Sequence, residues 1–170
     1  FAKILKETVD VPIICAGRMD DPEMAVTAIT EGVCDIISLG RPLLADPDYV
    51  NKLQMGDLRS IRPCISCHEG CLGRVQAYSA LNCAVNPQAC RERTAAYNPL
   101  LKQKRVLIVG GGVAGCEAAR VLAVRGHQPV LYEKSDRLGG NLIPGGVPRF
   151  KQDDIALRNW FEYQLEALKV

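Results

Sequence analysis

Four short apolar runs organise the chain. VPIICAG (11–17) and DIISLG (35–40) each end in glycine, and so does KRVLIVG (104–110); QPVLYEK (128–134) ends in a charged pair. Apolar runs of this length, bounded by turn residues, predict strands. Between the first two lies DPEMAVTAITEG (21–32), which carries full helix punctuation: Asp21 as N-cap, Pro22 at the first helical position and Gly32 just past the end. Between the last two, CEAARVLAVRG (116–126) predicts a helix. Asp46-Pro47 opens a further helix through about Met55. Residues 1–8 read as the end of an amphipathic helix and residues 157–170 as a helix without a cap, so the chain is expected to be an internal piece of a longer protein. Strand–helix–strand, twice over, is the βαβ rhythm. It predicts an α/β fold with parallel strands whose two faces are both covered.

Between these stretches the pattern breaks. Pro63, Gly70, Gly73 and Pro87 punctuate an irregular segment that holds five of the eight cysteines, and AYNPLLKQK (96–104) reads as a linker. Charge divides the chain in the same way. Residues 1–63 carry seven basic and ten acidic groups, 64–103 four and two, and 104–170 ten and seven. The expected domains are therefore 1–62, 63–103 and 104–170.

Composition narrows the function classes. The 170 residues are 48% hydrophobic and 24% charged, with mean hydropathy +0.01, as in an ordinary globular protein. A net charge of +2 is too weak to imply nucleic acid or an acidic surface as partner. No apolar run is long enough to span a bilayer. With no export signal, the cytoplasm is the expected location.

Cys64, Cys67, Cys71 and Cys83 form C-x2-C-x3-C-x11-C. Four thiolates within 20 residues on a glycine-containing loop can converge on one inorganic centre. The spacing is close to that of ferredoxin-like [4Fe–4S] ligands. Structural zinc more often uses two separated C-x2-C knuckles or includes His, and disulfides belong to oxidising compartments; both stand as alternatives. Cys15, Cys34 and Cys116 read as small buried hydrophobes and Cys90 as a spare thiol. His68, Tyr78 and Tyr97 are assigned packing or surface roles.

Gly110, Gly112 and Gly115 form G-x-G-x-x-G after a predicted strand and before a predicted helix. The first glycine permits the tight turn, the second lets backbone approach a pyrophosphate, and the third lets helix pack on strand, with the helix N-terminus toward the phosphates. Glu133 ends the next strand, where an acid can accept from ribose hydroxyls. Arg137-Leu138-Gly139-Gly140 then supplies a second glycine pair. That arrangement resembles the FAD-binding half of flavoproteins of the disulfide-reductase type. Arg137 and Lys151 are more simply solvated charges than flavin contacts.

CAGRM (15–19) and LGRP (39–42) put Gly-Arg at the ends of two predicted parallel strands. In a TIM barrel, loops at that edge commonly bind phosphate. The order of parts (AGR and LGRP strand ends, CISCHEGCL…NCAVNP, RVLIVGGGVAGCEAA…EKSDRLGG) resembles the multidomain branch of the old yellow enzyme superfamily, which includes 2,4-dienoyl-CoA reductases, 2-enoate reductases and trimethylamine dehydrogenase.

The resemblance implies the C-terminal end of an FMN-binding TIM (β/α)8 barrel, a [4Fe–4S] cysteine loop, and the start of a Rossmann-like FAD-binding domain. Ala16, Gly17, Arg18, Gly40 and Arg41 would contact the FMN phosphate. Cys64, Cys67, Cys71 and Cys83 would hold the cluster. Gly110, Gly112, Gly115, Glu133 and Gly140 would contact FAD. The implied enzyme passes electrons from NAD(P)H through FAD, the cluster and FMN to an activated C=C bond of a small enoyl or dienoyl substrate. A trimethylamine dehydrogenase-like amine oxidation, with electrons leaving through the cluster and ADP in place of FAD, is one alternative. A non-catalytic zinc-clip domain with a nucleotide-binding module is another. The resemblance places the catalytic proton donor and the substrate groups upstream of residue 1.

Overall fold

The computed structural model describes residues 1–98 and 101–170. It divides into two compact units, Phe1–Leu43 and Leu44–Val170. Each contains one two-stranded parallel sheet.

In the first unit α1 (Ala2–Thr8) leads to β1 (Ile14–Ala16), α2 (Pro22–Thr30) and β2 (Ile36–Ser38). The strands pair with Ile14 opposite Ile36 and Ala16 opposite Ser38. This is the expected βαβ order. The Asp21 carboxylate accepts from the main-chain N–H of Glu23 at 2.9 Å and Met24 at 3.2 Å, capping α2. Pro22 follows where no N–H is needed. Gly32, with φ of 65°, turns the chain out of the helix. Asp35 fastens the two strand starts: it pairs with Lys6 and accepts from Ile13 N–H at 2.8 Å. The Lys6 hydrogen bond, and then that amide, hold the Asp35 carboxyl below its ordinary range. Ala28 and Cys34 are buried beneath.

α3 (Arg41–Ala45) begins directly after Gly40. The second unit continues through α4 (Tyr49–Gln54), a 3-10 turn at Leu58–Ser60, and a π-helical turn at Glu69–Gly73 that runs into α5 (Arg74–Gln76). Then come β3 (Arg105–Val109), α6 (Val113–Val124), β4 (Gln128–Tyr132), α7 (Leu142–Gly145), a 3-10 turn at Arg149–Lys151, and α8 (Gln152–Ala167). β3 and β4 pair in parallel over five residues, from Arg105 opposite Gln128 to Val109 opposite Tyr132.

One core serves this whole unit. Cys116 and Ala119 of α6 meet Leu157, Trp160, Phe161 and Leu165 of α8, together with Ala45 and Val85. Cys64, Ile65 and Cys83 pack against the same cluster. The cysteine segment is therefore seated on the helices of the glycine-loop βαβ unit.

Four local expectations shift. The helix expected at Asp46-Pro47 starts at Tyr49, because buried Asp46 engages Asp48 N–H, Lys52 and Arg62 N–H instead of capping. α6 begins at Val113, three residues early, and takes Gly115 into its first turn. The cysteine segment contains helical turns where irregular chain was expected. α3 was not anticipated. Of the expected linker, Pro99 and Leu100 lie outside the described residues, and the Tyr97 hydroxyl accepts from Arg120 at 3.1 Å. Both sheets keep one apolar face open among the described residues: Ile14 and Ile36 in the first, Leu107, Val109 and Tyr132 in the second.

Candidate functional site

The glycine loop is built by close approach. Gly110, with φ of 103°, turns the chain after β3 while its N–H donates to Tyr132 O at 2.7 Å. A Cβ on Gly115 would stand 1.9 Å from Gly110 O, so only glycine lets the first turn of α6 fold back on the loop. Gly112 is different: a Cβ there would meet nothing within 4 Å. It begins α6 with no side-chain cap, leaving that helix end without a side-chain acceptor over the loop.

The second glycine pair joins the first. Gly139 N–H donates to Gly111 O at 2.8 Å, and Gly112 and Gly139 form a parallel bridge. A Cβ on Gly140 would lie 3.1 Å from Gly112 Cα. Arg158 of α8 holds this segment from behind, donating through Nε to Leu138 O at 3.1 Å and pairing with Glu162. Gly139 belongs to the glycine pair the sequence marks, but Arg158 is not singled out by the sequence, since nothing in the pattern marks a contact between segments 20 residues apart.

Glu133 stands at the end of β4 as the motif requires. Its carboxylate accepts from Ser135 N–H at 2.9 Å, Gly111 N–H at 2.6 Å and Ser135 Oγ at 3.0 Å. The Ser135 amide, then the Gly111 amide and the hydroxyl, pull its pKa down to about 2. The carboxylate is ionised and aimed along the loop. Arg137 is exposed, with its Nε 3.5 Å from Asp136, and Lys151 is exposed.

Three observations fit a dinucleotide: open space over Gly112, a twelve-residue helix begun without a side-chain cap, and a fixed carboxylate at the end of β4, where the motif expects a ribose. These groups suit the AMP half of FAD and equally that of other adenine dinucleotides.

The cysteine segment is folded on itself. Ser66 and His68, both non-glycine, take left-handed φ of 52° and 57°, and Gly73 N–H donates to His68 O at 2.8 Å. Asn82 N–H donates to buried Gly70 O at 2.7 Å, which sets Cys71 and Cys83 beside neighbouring backbone. Cys64, Cys71 and Cys83 are half-buried and Cys67 is exposed. All eight cysteines are thiols. Among the described residues no three His, Cys, Asp or Glu side chains are gathered tightly enough to hold a metal ion. The donor set is nevertheless four thiols on a doubled-back loop, with no carboxylate among them, and such soft ligands suit an iron–sulfur centre or zinc.

Beside that segment lies a buried charge layer that the sequence does not announce. Arg62 donates through Nη1 to Val85 O at 2.9 Å, and its main-chain N–H donates to Asp46 at 2.8 Å. Its guanidinium stacks 4.6 Å over Trp160 and lies 3.8 Å from Glu117. Arg120 holds Glu117 with two hydrogen bonds, of 2.9 and 2.7 Å. Burial is the largest influence on both guanidiniums. It lowers the Arg62 pKa on balance, whereas the Glu117 bonds outweigh it and raise that of Arg120.

In the first unit the register brings both Gly-Arg pairs to the carboxyl edge of one strand pair, since Ala16 stands opposite Ser38. Gly17 and Arg18 are exposed and take left-handed φ of 101° and 55°. A Cβ at Gly17 or Gly40 would meet nothing within 4 Å. Arg18 lies 3.9 Å from Asp20, and Arg41 begins α3.

Comparison with known proteins covers both units. Residues 1–59 match the family model described as NADH:flavin oxidoreductase / NADH oxidase family, and residues 108–163 match that of an NAD(P)-binding Rossmann-like domain. The chain is 54% identical over all 170 residues to a cinnamate reductase of Clostridium sporogenes, covering 26% of that protein. Among solved structures it is similar to a 2-naphthoyl-CoA reductase in complex with 2-naphthoyl-CoA, with a TM-score of 0.94, 36% identity, and coverage of 99% of this chain and 26% of that one. It is also similar to histamine dehydrogenase from Rhizobium sp. 4-9, with a TM-score of 0.87, 29% identity, and coverage of 96% and 25%. The chain thus spans about a quarter of the length of these relatives. From these matches and its own motifs, the chain belongs to the NADH:flavin oxidoreductase / NADH oxidase family, within the old yellow enzyme group that its motifs resemble.

Proposed function

We propose that the chain carries the cofactor-holding parts of an iron–sulfur flavoprotein that uses NAD(P)H to reduce an activated C=C bond of an enoate or enoyl thioester. The carrying observation is that α6, started by the glycine loop, shares one core with the four-cysteine segment. A dinucleotide and a thiolate-bound centre would then sit on one packed body. The similarity to a cinnamate reductase and to a naphthoyl-CoA reductase supports the C=C substrate class.

The residues divide the work. Gly110, Gly112, Gly115 and Gly140 clear the backbone for the FAD pyrophosphate, and ionised Glu133 accepts from its ribose hydroxyls. Cys64, Cys67, Cys71 and Cys83 supply thiolates to a [4Fe–4S] cluster. Ala16, Gly17, Arg18, Gly40 and Arg41 form the phosphate end of an FMN site at the carboxyl edge of the TIM-barrel strands β1 and β2. When bound, these groups supply two-electron chemistry at each flavin and single-electron transfer between them. Burial of Cys64 and Cys83 against the core limits water at that centre, while exposed Gly17 and Arg18 leave the phosphate edge open to its ligand.

The test is anaerobic titration of the full-length protein with NADH and NADPH, followed by visible and EPR spectroscopy. Reduction of the cluster together with both flavins is expected. A cluster that stays oxidised while FMN is reduced overturns the route. The similarity to histamine dehydrogenase favours amine oxidation as the second reading. Flavin analysis separates the two: FMN with FAD for the reductase, a single flavin for the amine dehydrogenase.

A further inference from the structure

We infer that Arg62 is the positioning residue of the cysteine centre, holding the two ends of the ligand segment together and placing a buried positive charge beside them. The inference rests on the cluster reading above and concerns a residue that is not itself a ligand.

Arg62 stands two residues before Cys64, and Val85 two residues after Cys83. The Nη1–H of Arg62 donates to Val85 O at 2.9 Å, so one side chain ties the entry of the cysteine segment to its exit. The main-chain N–H of Arg62 donates to buried Asp46, which Lys52 also holds, so the entry is itself anchored. On the other side the guanidinium lies over Trp160, whose indole N–H donates to Ser60 O at 2.9 Å. Arg62 is 8% exposed, and the segment it closes is otherwise short of regular structure. Remove the clasp, and the entry and exit of the segment lose the hydrogen bond that ties them, leaving Cys64 and Cys83 held by packing on the core and by the Gly70–Asn82 contact. Residues behind metal ligands commonly govern metal retention by 10–100-fold.

Charge is the second consequence. Buried Arg62 and Arg120 and half-buried Glu117 make a group of two cations and one anion. The Asp46 charge is met separately by Lys52. One positive charge is left over beside the cysteine segment. Net charge near an iron–sulfur cluster tunes its reduction potential, and a nearby cation favours the reduced, more negative form. The same Glu117 lies on α6, so this layer physically joins the helix of the dinucleotide loop to the cysteine segment.

The experiment uses the full-length holoprotein, purified anaerobically, with Arg62→Lys and Arg62→Gln. Iron and acid-labile sulfide are counted, iron loss to a chelator is timed, and the cluster midpoint potential is read by EPR-monitored titration. The parent is expected to hold about four iron and four sulfide per chain. Both variants are expected to lose iron roughly tenfold faster, because neither offers the planar fork. The midpoint potential is expected to fall in Arg62→Gln and to stay at the parent value in Arg62→Lys, which keeps the charge. A parent without sulfide overturns the cluster reading rather than the role of Arg62. A parent with its cluster, and variants that match its chelation rate and potential, overturn the inference. Should Arg62→Gln fail to fold, judged by tryptophan fluorescence, Glu117→Gln replaces it. That variant removes the counter-charge and is expected to raise the potential; a lowered or unchanged value overturns the charge argument.

Discussion

Gly70 and Asn82 touch through their backbones. The Asn82 N–H donates to Gly70 O at 2.7 Å, and a Cβ built on Gly70 would fall 2.3 Å from Asn82 Oδ1 and 2.8 Å from Asn82 O. The residues next in the chain are Cys71 and Cys83. A contact that tolerates no methyl group therefore sets how near two of the four thiols come. Gly70→Ala is expected to force the segments apart, at a cost of about 1–3 kcal/mol for overpacking a buried site. Urea unfolding of the full-length protein measures the cost, and iron per chain measures the effect on the centre. A variant with parent stability and parent iron content refutes this role for the contact.

The glycines of the dinucleotide loop separate folding from binding. At Gly115 a Cβ would stand 1.9 Å from Gly110 O, and the obstacle is backbone that cannot swing aside. Gly115→Ala is expected to destabilise the unit by about 3 kcal/mol. At Gly112 nothing lies within 4 Å and φ is −73°, which alanine adopts freely. Gly112→Ala is expected to change stability by less than about 0.5 kcal/mol and yet to lower FAD content, because the methyl group occupies the space a pyrophosphate would use. Thermal unfolding and flavin stoichiometry on the same two variants check both halves.

This pair also marks what was legible in the sequence. Glycine spacing after a strand announces both the loop and Glu133, because backbone sterics there depend on neighbours in the chain. Asp21-Pro22 announces the start of α2 for the same local reason. The start of α6 does not follow, since Gly115 reads as loop although its lack of a Cβ is what lets it lie against Gly110 O inside the first helical turn. The turn at Glu69–Gly73 is hidden because Gly70 and Gly73 both look like breakers. Least legible is the layer of Arg62, Glu117 and Arg120. Arg62 stacks on Trp160, nearly a hundred residues away, and charged residues one by one look like surface. Only the joint burial of their partners identifies them, and that is a tertiary fact.

Acid should weaken the loop through Glu133. Its folded-state pKa is about 2, against an ordinary 4.5, because Ser135 and Gly111 donate to the ionised form. A group depressed on folding contributes stability above its unfolded pKa, and that contribution fades as pH falls from about 4.5 toward 2. Glu133→Gln cannot titrate. Its unfolding midpoint is expected to depend less steeply on pH across that window than the parent's, while lying below it at neutral pH. Denaturant melts at pH steps from 5 to 2 give both slopes. Parallel slopes would show that the Gly111 and Ser135 bonds do not carry the effect.

Thiol reactivity should sort seven of the eight cysteines, all but half-buried Cys15, into three groups, and the order of their appearance tests the ligand set. Cys116 is fully buried, and burial raises its pKa to about 11, so it stays protonated and unreactive at neutral pH. Cys34 is 2% exposed, and burial raises its pKa too. Cys67 and Cys90 are both exposed, and exposure alone would make them equally reactive. Ligation separates them, because a thiolate bound to iron is withheld from an alkylating agent. In the intact holoprotein, brief alkylation followed by peptide mass spectrometry is expected to label Cys90 and spare Cys67. After iron is removed by chelation, Cys67 is expected to label next, followed by half-buried Cys64, Cys71 and Cys83. Cys34 and Cys116 should label only in denaturant. Labelling of Cys67 at the rate of Cys90 before chelation would remove Cys67 from the ligand set, whereas protection of Cys90 until chelation would add it.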